Sequence, residues 1–190
     1  MKIAILVGSL RKESYSLKMA KAMVVLAPQS LEMEIVEIGN LPFYNEDLEI
    51  AAPPLEWVGF RKKISDVDGL LFITPEYNRS VPGVLKNAID VGSRPYGKSV
   101  WSGKPGGVVS VSPSAMGGFG ANHHLRQSLV FLDVLTLQQP EMYIGNAAEL
   151  FDEAGDLKEE KTKKFVVKFL DSYVKWVSKI NGVNDVSVPR

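Results

Sequence analysis

The 190-residue sequence contains no cysteine. Disulfide bonds, metal sites with thiolate ligands and a cysteine nucleophile are therefore excluded. A chain without cysteine suits the reducing cytoplasm, where disulfides are rare, so we expect a cytoplasmic protein.

The sequence also lacks an excess charge of either sign and a long apolar segment. Lysine and arginine number 22, and aspartate and glutamate also number 22, so the formal net charge is zero. Without a basic field, nucleic-acid binding is not expected. No apolar run approaches the roughly 20 residues of a membrane span. The apolar residues 2–7 run into Gly8-Ser9 without a cleavage pattern, so we expect a first strand there and no signal peptide.

What the chain does contain is a regular alternation of short apolar runs and helical patterns. The apolar runs predict strands at 2–7, 33–38, 68–74, 108–112 and 134–137, and residues 141–144 are candidates to continue the last one. The helical patterns predict helices between Ser14 and Pro28 and at 55–64, 81–91, 119–132 and 159–180, with loops at 39–54, 92–103 and 145–157.

This alternation predicts an α/β fold. We expect a flavodoxin-like three-layer sandwich, with a five-stranded parallel sheet of order 2-1-3-4-5 and helices on both faces. No linker divides the chain, so residues 1–180 are expected to form one domain. Residues 181–190 are expected to be a flexible C-terminal tail.

The spacing of apolar residues predicts the buried face of several helices. The residues expected there are Leu17, Ala20, Met23, Val24 and Ala27 in the first helix and Phe165, Phe169, Tyr173 and Trp176 in the last. In the second helix Trp57, Val58 and Phe60 are expected to be partly buried. Ser80 is placed to cap the helix that begins near Pro82.

Hydroxyl side chains and an arginine surround the start of the first helix. They are Ser9, Arg11, Ser14 and Ser16. Free N–H groups and the helix dipole make such a helix end an anion site. Serine hydroxyls can donate to phosphate oxygens, and arginine adds a charge-assisted contact. The alternative is a serine-capped helix with solvated charges, but the coincidence of hydroxyls, arginine and fold position favours phosphate.

A second polar loop follows the third strand. Its residues Pro75-Glu76-Tyr77-Asn78 offer backbone N–H groups, a phenol and an amide. On its own this segment is also compatible with an ordinary strand-to-helix turn. In the order 2-1-3-4-5, however, the switch point lies between strands one and three, so the two polar loops should meet there. Walker, dinucleotide-binding, receiver and hydrolase motifs are absent, which favours a mononucleotide such as FMN, its flat ring over the second loop.

Four motifs resemble the NAD(P)H-dependent FMN reductase family, in the branch of soluble quinone, chromate and azo-dye reductases. They are Gly8-Ser9-Leu10-Arg11…Ser14, Pro75-Glu76-Tyr77-Asn78…Ser80…Pro82-Gly83…Leu85-Lys86-Asn87-Ala88…Asp90, Gly103-Lys104-Pro105, and the Ser112…Gly117-Gly118 turn that leads to His124-Leu125-Arg126. The resemblance spans residues 2–145. Two departures are that Ser16 stands where the family often has Asn, and Val91 where it often has Trp.

The resemblance implies non-covalent FMN as cofactor and NADPH or NADH as co-substrate. By position, it implies that the phosphate is bound by Ser9, Arg11, Ser14 and Ser16, the isoalloxazine by Pro75, Glu76, Tyr77 and Asn78, and the ring edge by Ser112. It further implies a ping-pong cycle in which NAD(P)H reduces FMN and small-molecule acceptors such as quinones, chromate, azo or nitro compounds, or free flavin, are then reduced.

In such enzymes the flavin carries the chemistry, so no side chain is assigned as a catalytic acid or nucleophile. Glu76 is expected to act mainly through its backbone. His123 and His124 diverge on a helix and have no evident third ligand, so no metal site is predicted.

The family usually forms homodimers or homotetramers. By resemblance, helices 81–91 and 119–132 would lie at the interface, and an ion pair between Arg126 and Glu141 is a hypothesis for that contact.

Two other functions stay open at the level of sequence. A flavodoxin-type FMN electron carrier without NAD(P)H turnover is the first, although flavodoxins are commonly acidic and typically bind phosphate without arginine, which favours the enzyme. A flavin-free binding domain is the second. The roles of Phe43, Tyr44, Arg94, Tyr96 and Trp101 in the two long loops also stay open between packing, the flavin site and a subunit contact.

Overall fold

The structure is a computed structural model and describes residues 1–182. Its strands are β1 (Lys2–Val7), β2 (Glu32–Val36), β3 (Gly69–Thr74), β4 (Pro105–Val111), β5 (Leu135–Thr136) and β6 (Met142–Ile144). Its helices are α1 (Tyr15–Leu26), α2 (Glu46–Ala51), α3 (Leu55–Ser65), α4 (Gly83–Gly92), α5 (Phe119–Phe131), α6 (Ala147–Leu150) and α7 (Glu160–Ile180). Of the predicted tail, residues 183–190 lie outside the described part of the chain.

The sheet is parallel throughout, with the order β2-β1-β3-β4-β5. β5 and β6 pair with β4 at successive positions, Pro105 with Leu135 and Val109 with Met142. The two short strands therefore share one edge of the sheet, and residues 142–144 continue the fifth position as expected. The flavodoxin-like order predicted from the sequence is confirmed.

Both faces of the sheet are covered, because successive side chains of a strand point to opposite faces. In β1, Ile3 and Ile5 pack with α1 and α7, whereas Ala4 and Leu6 pack with α3, α4 and α5. All four side chains are at most 1% exposed. A fully buried aliphatic side chain contributes about 1.5–3 kcal/mol, so the continuous apolar strands stabilise both layers of helices, and the three-layer sandwich is confirmed.

Two predictions of buried helix positions are wrong. Val24 is 38% exposed and Val58 is 47% exposed, while their neighbours Met23 and Trp57 are fully buried. Adjacent helical residues differ by about 100° in direction, so a face centred on Met23 or Trp57 turns the next residue toward solvent.

Two segments predicted as loops contain short helices. α2 lies within 39–54 and begins where the Asn45 side chain accepts a hydrogen bond from Asp47 N–H at 3.0 Å. α6 lies within 145–157 and buries only Ala147. Neither helix has an apolar face long enough to produce a periodic signal, which is why hydrophobic spacing did not reveal them. Among residues 1–182, no helix combines the length and the apolar character needed to cross a bilayer.

Candidate functional site

Three loops at the carboxyl ends of β1, β3 and β4 line an open cleft of about 220 Å³. In open α/β sheets ligands bind at the carboxyl ends of the strands, so this cleft lies where a small molecule is expected. The lining contains every predicted site residue except Asn78, together with three that the sequence did not single out. The lining residues are Ser9, Arg11, Ser14, Tyr15, Ser16, Pro75, Glu76, Tyr77, Val111, Ser112 and Pro113.

The N-terminus of α1 opens into this cleft. Ser14 is its N-cap, and the Ser14 Oγ accepts a hydrogen bond from Leu17 N–H at 3.2 Å. Ser16 is 1% exposed, and within residues 1–182 its Oγ has no hydrogen-bond partner. A buried hydroxyl without a partner costs about 1–3 kcal/mol. A phosphate oxygen could accept a hydrogen bond from it, so the residues present fit the phosphate end of a mononucleotide.

Arg11 supplies a free cation at the same place. Its side chain is exposed, and in the described part of the chain it forms no ion pair or hydrogen bond. Arg11 also lines an adjoining cleft of about 390 Å³, which it shares with Ser9 and Tyr77. The guanidinium is therefore available to a phosphate at the junction of the two clefts.

The second predicted loop forms a tight turn. The N–H of Tyr77 donates to the Ser80 carbonyl at 3.1 Å, and the N–H of Ser80 donates to the Tyr77 carbonyl at 2.9 Å. The two central residues, Asn78 and Arg79, have φ of 51° and 62°, as in a type I′ hairpin turn. Tyr77 is 51% exposed and lines the cleft. Asn78 shapes the turn by its backbone and does not line the cleft, so its contact with a ring stays a prediction.

Glu76 acts as a helix cap in this structure. The N-cap of α5 is Gly118, which has no side chain with which to accept a hydrogen bond. Glu76 replaces it, because its Oε2 accepts a hydrogen bond from Ala121 N–H at 2.9 Å. A carboxylate at a helix N-terminus is also favoured by the helix dipole. The Glu76 side chain is 15% exposed and its other oxygen lies 3.6 Å from Arg79 Nη1.

Ser112 begins the loop after β4. Its Oγ accepts a hydrogen bond from Ser114 N–H at 3.1 Å, and its N–H donates to the Ile144 carbonyl at 2.9 Å. The loop ends in Gly117 and Gly118, with φ of 61° and 74°. A Cβ on Gly117 would lie 2.8 Å from the carbonyl carbon of Tyr143. The two glycines therefore allow the left-handed turn that leads from Ser112, in the cleft lining, to the start of α5.

The two histidines of α5 have separate partners. His124 Nδ1 lies 2.8 Å from Ser80 Oγ, and His123 Nε2 lies 2.9 Å from the Tyr143 hydroxyl. The prediction that Ser80 caps α4 is wrong, since the N-cap is Pro82 and has no side-chain hydrogen bond. α4 begins after Pro82 without a side-chain cap, and the Ser80 hydroxyl contacts His124 of α5 instead. No group of three histidine, aspartate or glutamate side chains suited to a metal ion occurs in residues 1–182.

A sequence model of NADPH-dependent FMN reductase matches residues 1–149. The chain belongs to this family. It is 63% identical to a quinone reductase of Pseudomonas putida, over 92% of this chain and 94% of the relative. It is 45% identical to a 2-hydroxy-1,4-benzoquinone reductase of a Burkholderia species, over 93% and 96%. The structure of FerB, a flavoenzyme NAD(P)H:(acceptor) oxidoreductase from Paracoccus denitrificans, superimposes with a TM-score of 0.88 at 42% identity, covering 94% of this chain and 97% of that one.

The protein is accordingly an oxidoreductase that uses FMN and NAD(P)H. The family assignment agrees with the cleft, whose buried Ser16 hydroxyl and free Arg11 suit a phosphate, and whose far side has the exposed ring of Tyr77. Tyr15, like Val111 and Pro113, is a lining residue that sequence reasoning missed. Its ring stacks on Phe151 at 6.4 Å between centroids, and its place between Ser14 and Ser16 in the first helical turn was the available signal.

The aromatic residues of the two long loops fall into two groups, one that packs in the core and one that is exposed to solvent. Tyr44 stacks on Trp57, and Trp101 is fully buried with its indole N–H donating to the Ile89 carbonyl at 2.9 Å. These two aromatic residues therefore serve the core. Phe43 and Tyr96 are 77% and 90% exposed.

Arg126 has its own contacts inside the chain. Its Nε donates to Asn122 Oδ1 at 2.9 Å and its Nη1 to the Leu137 carbonyl at 3.0 Å. Partial burial lowers the pKa of Arg126, while Tyr143 and Glu141 oppose that shift. Within residues 1–182 no ion pair joins Arg126 to Glu141, so their pairing between subunits stays a prediction.

Proposed function

We propose that this protein transfers electrons from NAD(P)H through non-covalently bound FMN to quinones. The observation that carries the proposal is the buried, unpartnered hydroxyl of Ser16 at the N-terminus of α1, in a cleft at the switch point of the sheet. Relatives at 63% and 45% identity are a quinone reductase and a 2-hydroxy-1,4-benzoquinone reductase, which supports quinones as the acceptor class.

Each predicted site residue has a role in this proposal. Ser9, Arg11, Ser14 and Ser16 bind the phosphate, Pro75, Glu76, Tyr77 and Asn78 form the floor for the isoalloxazine, and Ser112 lies at the ring edge. When bound, FMN supplies the redox chemistry, since it takes a hydride from NAD(P)H and passes two electrons to the acceptor. The protein binds, orients and shields it, and no side chain is assigned as an acid or a nucleophile.

The two co-substrates are proposed to use the cleft in turn, as in a ping-pong cycle. The cleft is open and continues into the neighbouring one that Ser9, Arg11 and Tyr77 also line. An open site accepts acceptors of several shapes, so chromate, azo and nitro compounds and free flavin are further candidates. We also propose a cytoplasmic location and a homodimeric or homotetrameric assembly.

An electron carrier of flavodoxin type is the second candidate, because it has the same sheet order. The formal net charge of zero and the free Arg11 favour the enzyme. One experiment separates the two. The purified protein is loaded with FMN and mixed with NADPH or NADH without oxygen. The enzyme bleaches rapidly, a carrier stays yellow, and a protein that takes up no FMN contradicts both functions.

A further inference from the structure

Residues 75–80, called here the ring loop, are fastened to α5 near both ends. Glu76 Oε2 accepts the hydrogen bond from Ala121 N–H, and the Ser80 hydroxyl lies 2.8 Å from His124 Nδ1. The turn closed by Tyr77 and Ser80 lies between these two contacts. Two side chains of the loop thus contact the helix, one at a backbone N–H and one at a histidine ring.

A close approach of the backbones accompanies these contacts. A Cβ on Gly120 would lie 2.9 Å from Glu76 Oε2 and 3.1 Å from the Arg79 carbonyl oxygen. Arg79 Nη1 lies 3.5 Å from Met116 Sδ in the loop that precedes α5. The first turn of α5 therefore packs directly against the ring loop, and a side chain at position 120 would press on both Glu76 and the Arg79 carbonyl.

The ring loop needs support from outside, because its turn is strained. Asn78 and Arg79 both have left-handed φ values, and the left-handed conformation costs an L-residue roughly 1–2 kcal/mol. Asparagine tolerates this conformation better than arginine does. Strained loops persist when surrounding contacts determine their conformation, and here the contacts of Glu76 and His124 are those that do so.

We propose that Glu76 and His124 are positioning residues that hold the ring loop against α5 and so set the floor on which the flavin ring lies. This inference rests on the proposed function and goes beyond it, because it gives Glu76 a role through its carboxylate and His124 a role in flavin binding. The role proposed for both residues is positioning, with no proton-transfer step. One carboxylate oxygen of Glu76 is occupied by Ala121 N–H, and the other faces Arg79.

The test compares two flavins that differ only in the phosphate. FMN and riboflavin are titrated into the apoprotein, and their dissociation constants are measured from the quenching of flavin fluorescence. Loss of one such hydrogen bond is worth about 1–1.5 kcal/mol, or roughly tenfold. Glu76→Ala and His124→Ala are therefore expected to weaken FMN and riboflavin by the same factor, of about tenfold, since the ring is common to both.

Conservative variants and a control sharpen the comparison. Glu76→Gln keeps an oxygen that accepts from Ala121 N–H, and His124→Asn keeps a polar atom near the position of Nδ1, so both should restore most of the affinity. Ser128→Ala is the matched control on α5, because its Oγ donates to the His124 carbonyl at 3.2 Å on an exposed surface. It should leave both dissociation constants unchanged. The visible band shape of bound flavin should change in the two alanine variants alone.

Several results would overturn the inference. Alanine variants that lose thermal stability but bind both flavins normally would mean that the contacts are merely structural. Weaker FMN with unchanged riboflavin would place the effect at the phosphate. A wild-type protein that binds neither flavin would refute the proposed function as well, so the two failures are distinguishable. Should Glu76→Ala fail to fold, the pair His124→Ala and His124→Asn makes the same comparison.

Discussion

A Cβ placed on Gly8 would lie 3.2 Å from Thr74 Oγ1, so the loop after β1 touches the end of β3 and a side chain there would press against Thr74. The Gly8 N–H also donates to the Ile73 carbonyl at 2.9 Å. The two halves of the cleft are thus held together at the switch point of the sheet by contact between these residues.

Gly8→Ala should separate the two loops and weaken FMN binding. Forcing a methyl group into a packed site typically costs about 1–3 kcal/mol, so the free energy of unfolding should fall and the FMN dissociation constant should rise. Fluorescence titration and chemical denaturation measure the two effects. Gly59→Ala in α3 is the control, since a Cβ there meets nothing within 4 Å. It should raise stability and leave FMN binding unchanged, and equal behaviour of the two variants would contradict the steric explanation.

Ser16→Ala should have opposite effects on the free and the FMN-bound protein. In the apoprotein it removes a buried hydroxyl that has no partner among residues 1–182, so thermal stability should stay the same or rise. FMN binding should weaken by roughly tenfold, whereas riboflavin binding should not change. Calorimetry of the apoprotein and flavin titration test both halves. A loss of apoprotein stability with unchanged FMN affinity would show that Ser16 serves packing alone.

Arg11→Ala should reduce the salt dependence of FMN binding. The Arg11 side chain is exposed and lines both clefts, and attraction between exposed charges is screened by salt. FMN affinity of the wild type should therefore fall as ionic strength rises, and the variant should show a weaker affinity with a flatter dependence. Lys175→Ala, an exposed position on α7, is the charge-matched control. The prediction fails if both variants keep the wild-type salt slope.

The raised pKa of Tyr143 should lower the free energy of unfolding at alkaline pH. Burial, with a further contribution from the Glu141 carboxylate, raises the pKa of Tyr143 from 10.0 to about 12. The folded state thus holds a proton that the unfolded state releases, and this contribution to stability is complete below pH 10.0 and is lost as the pH rises through about 12.

Tyr143→Phe should make the fall in the free energy of unfolding with rising pH shallower, as measured by urea unfolding at a series of alkaline pH values. Burial also raises the pKa of Tyr173, which contributes in the same direction in wild type and variant alike. The difference between the two curves therefore isolates Tyr143. Superimposable curves would show that its phenol ionises equally in the folded and unfolded states.

Local patterns were sufficient to predict the sheet and the polar loop at the N-terminus of α1, whereas phosphate binding there stays a prediction. Continuous apolar strands such as β1 require cover on both faces, and the serines beside Arg11 surround the start of a helix that Ser14 caps. Each of these signals lies within a few residues of the feature that it predicts.

The support of the ring loop was not predictable in this way. Glu76 caps α5 from 45 residues away, and Ser80 reaches His124 from 44 residues away. Ser80 was instead assigned to the nearest helix, because capping rules consider only adjacent residues. Long-range partners depend on how loops pack, and a single sequence carries no direct record of that packing.

Electron transfer from NADPH through FMN to a quinone is tested most directly by an anaerobic titration of the FMN-loaded protein with NADPH, followed by a quinone. We expect one equivalent of NADPH per bound FMN to bleach the flavin and one equivalent of quinone to restore its colour. A flavin that stays oxidised with both NADPH and NADH, or that is bleached but not restored by quinone, would contradict it.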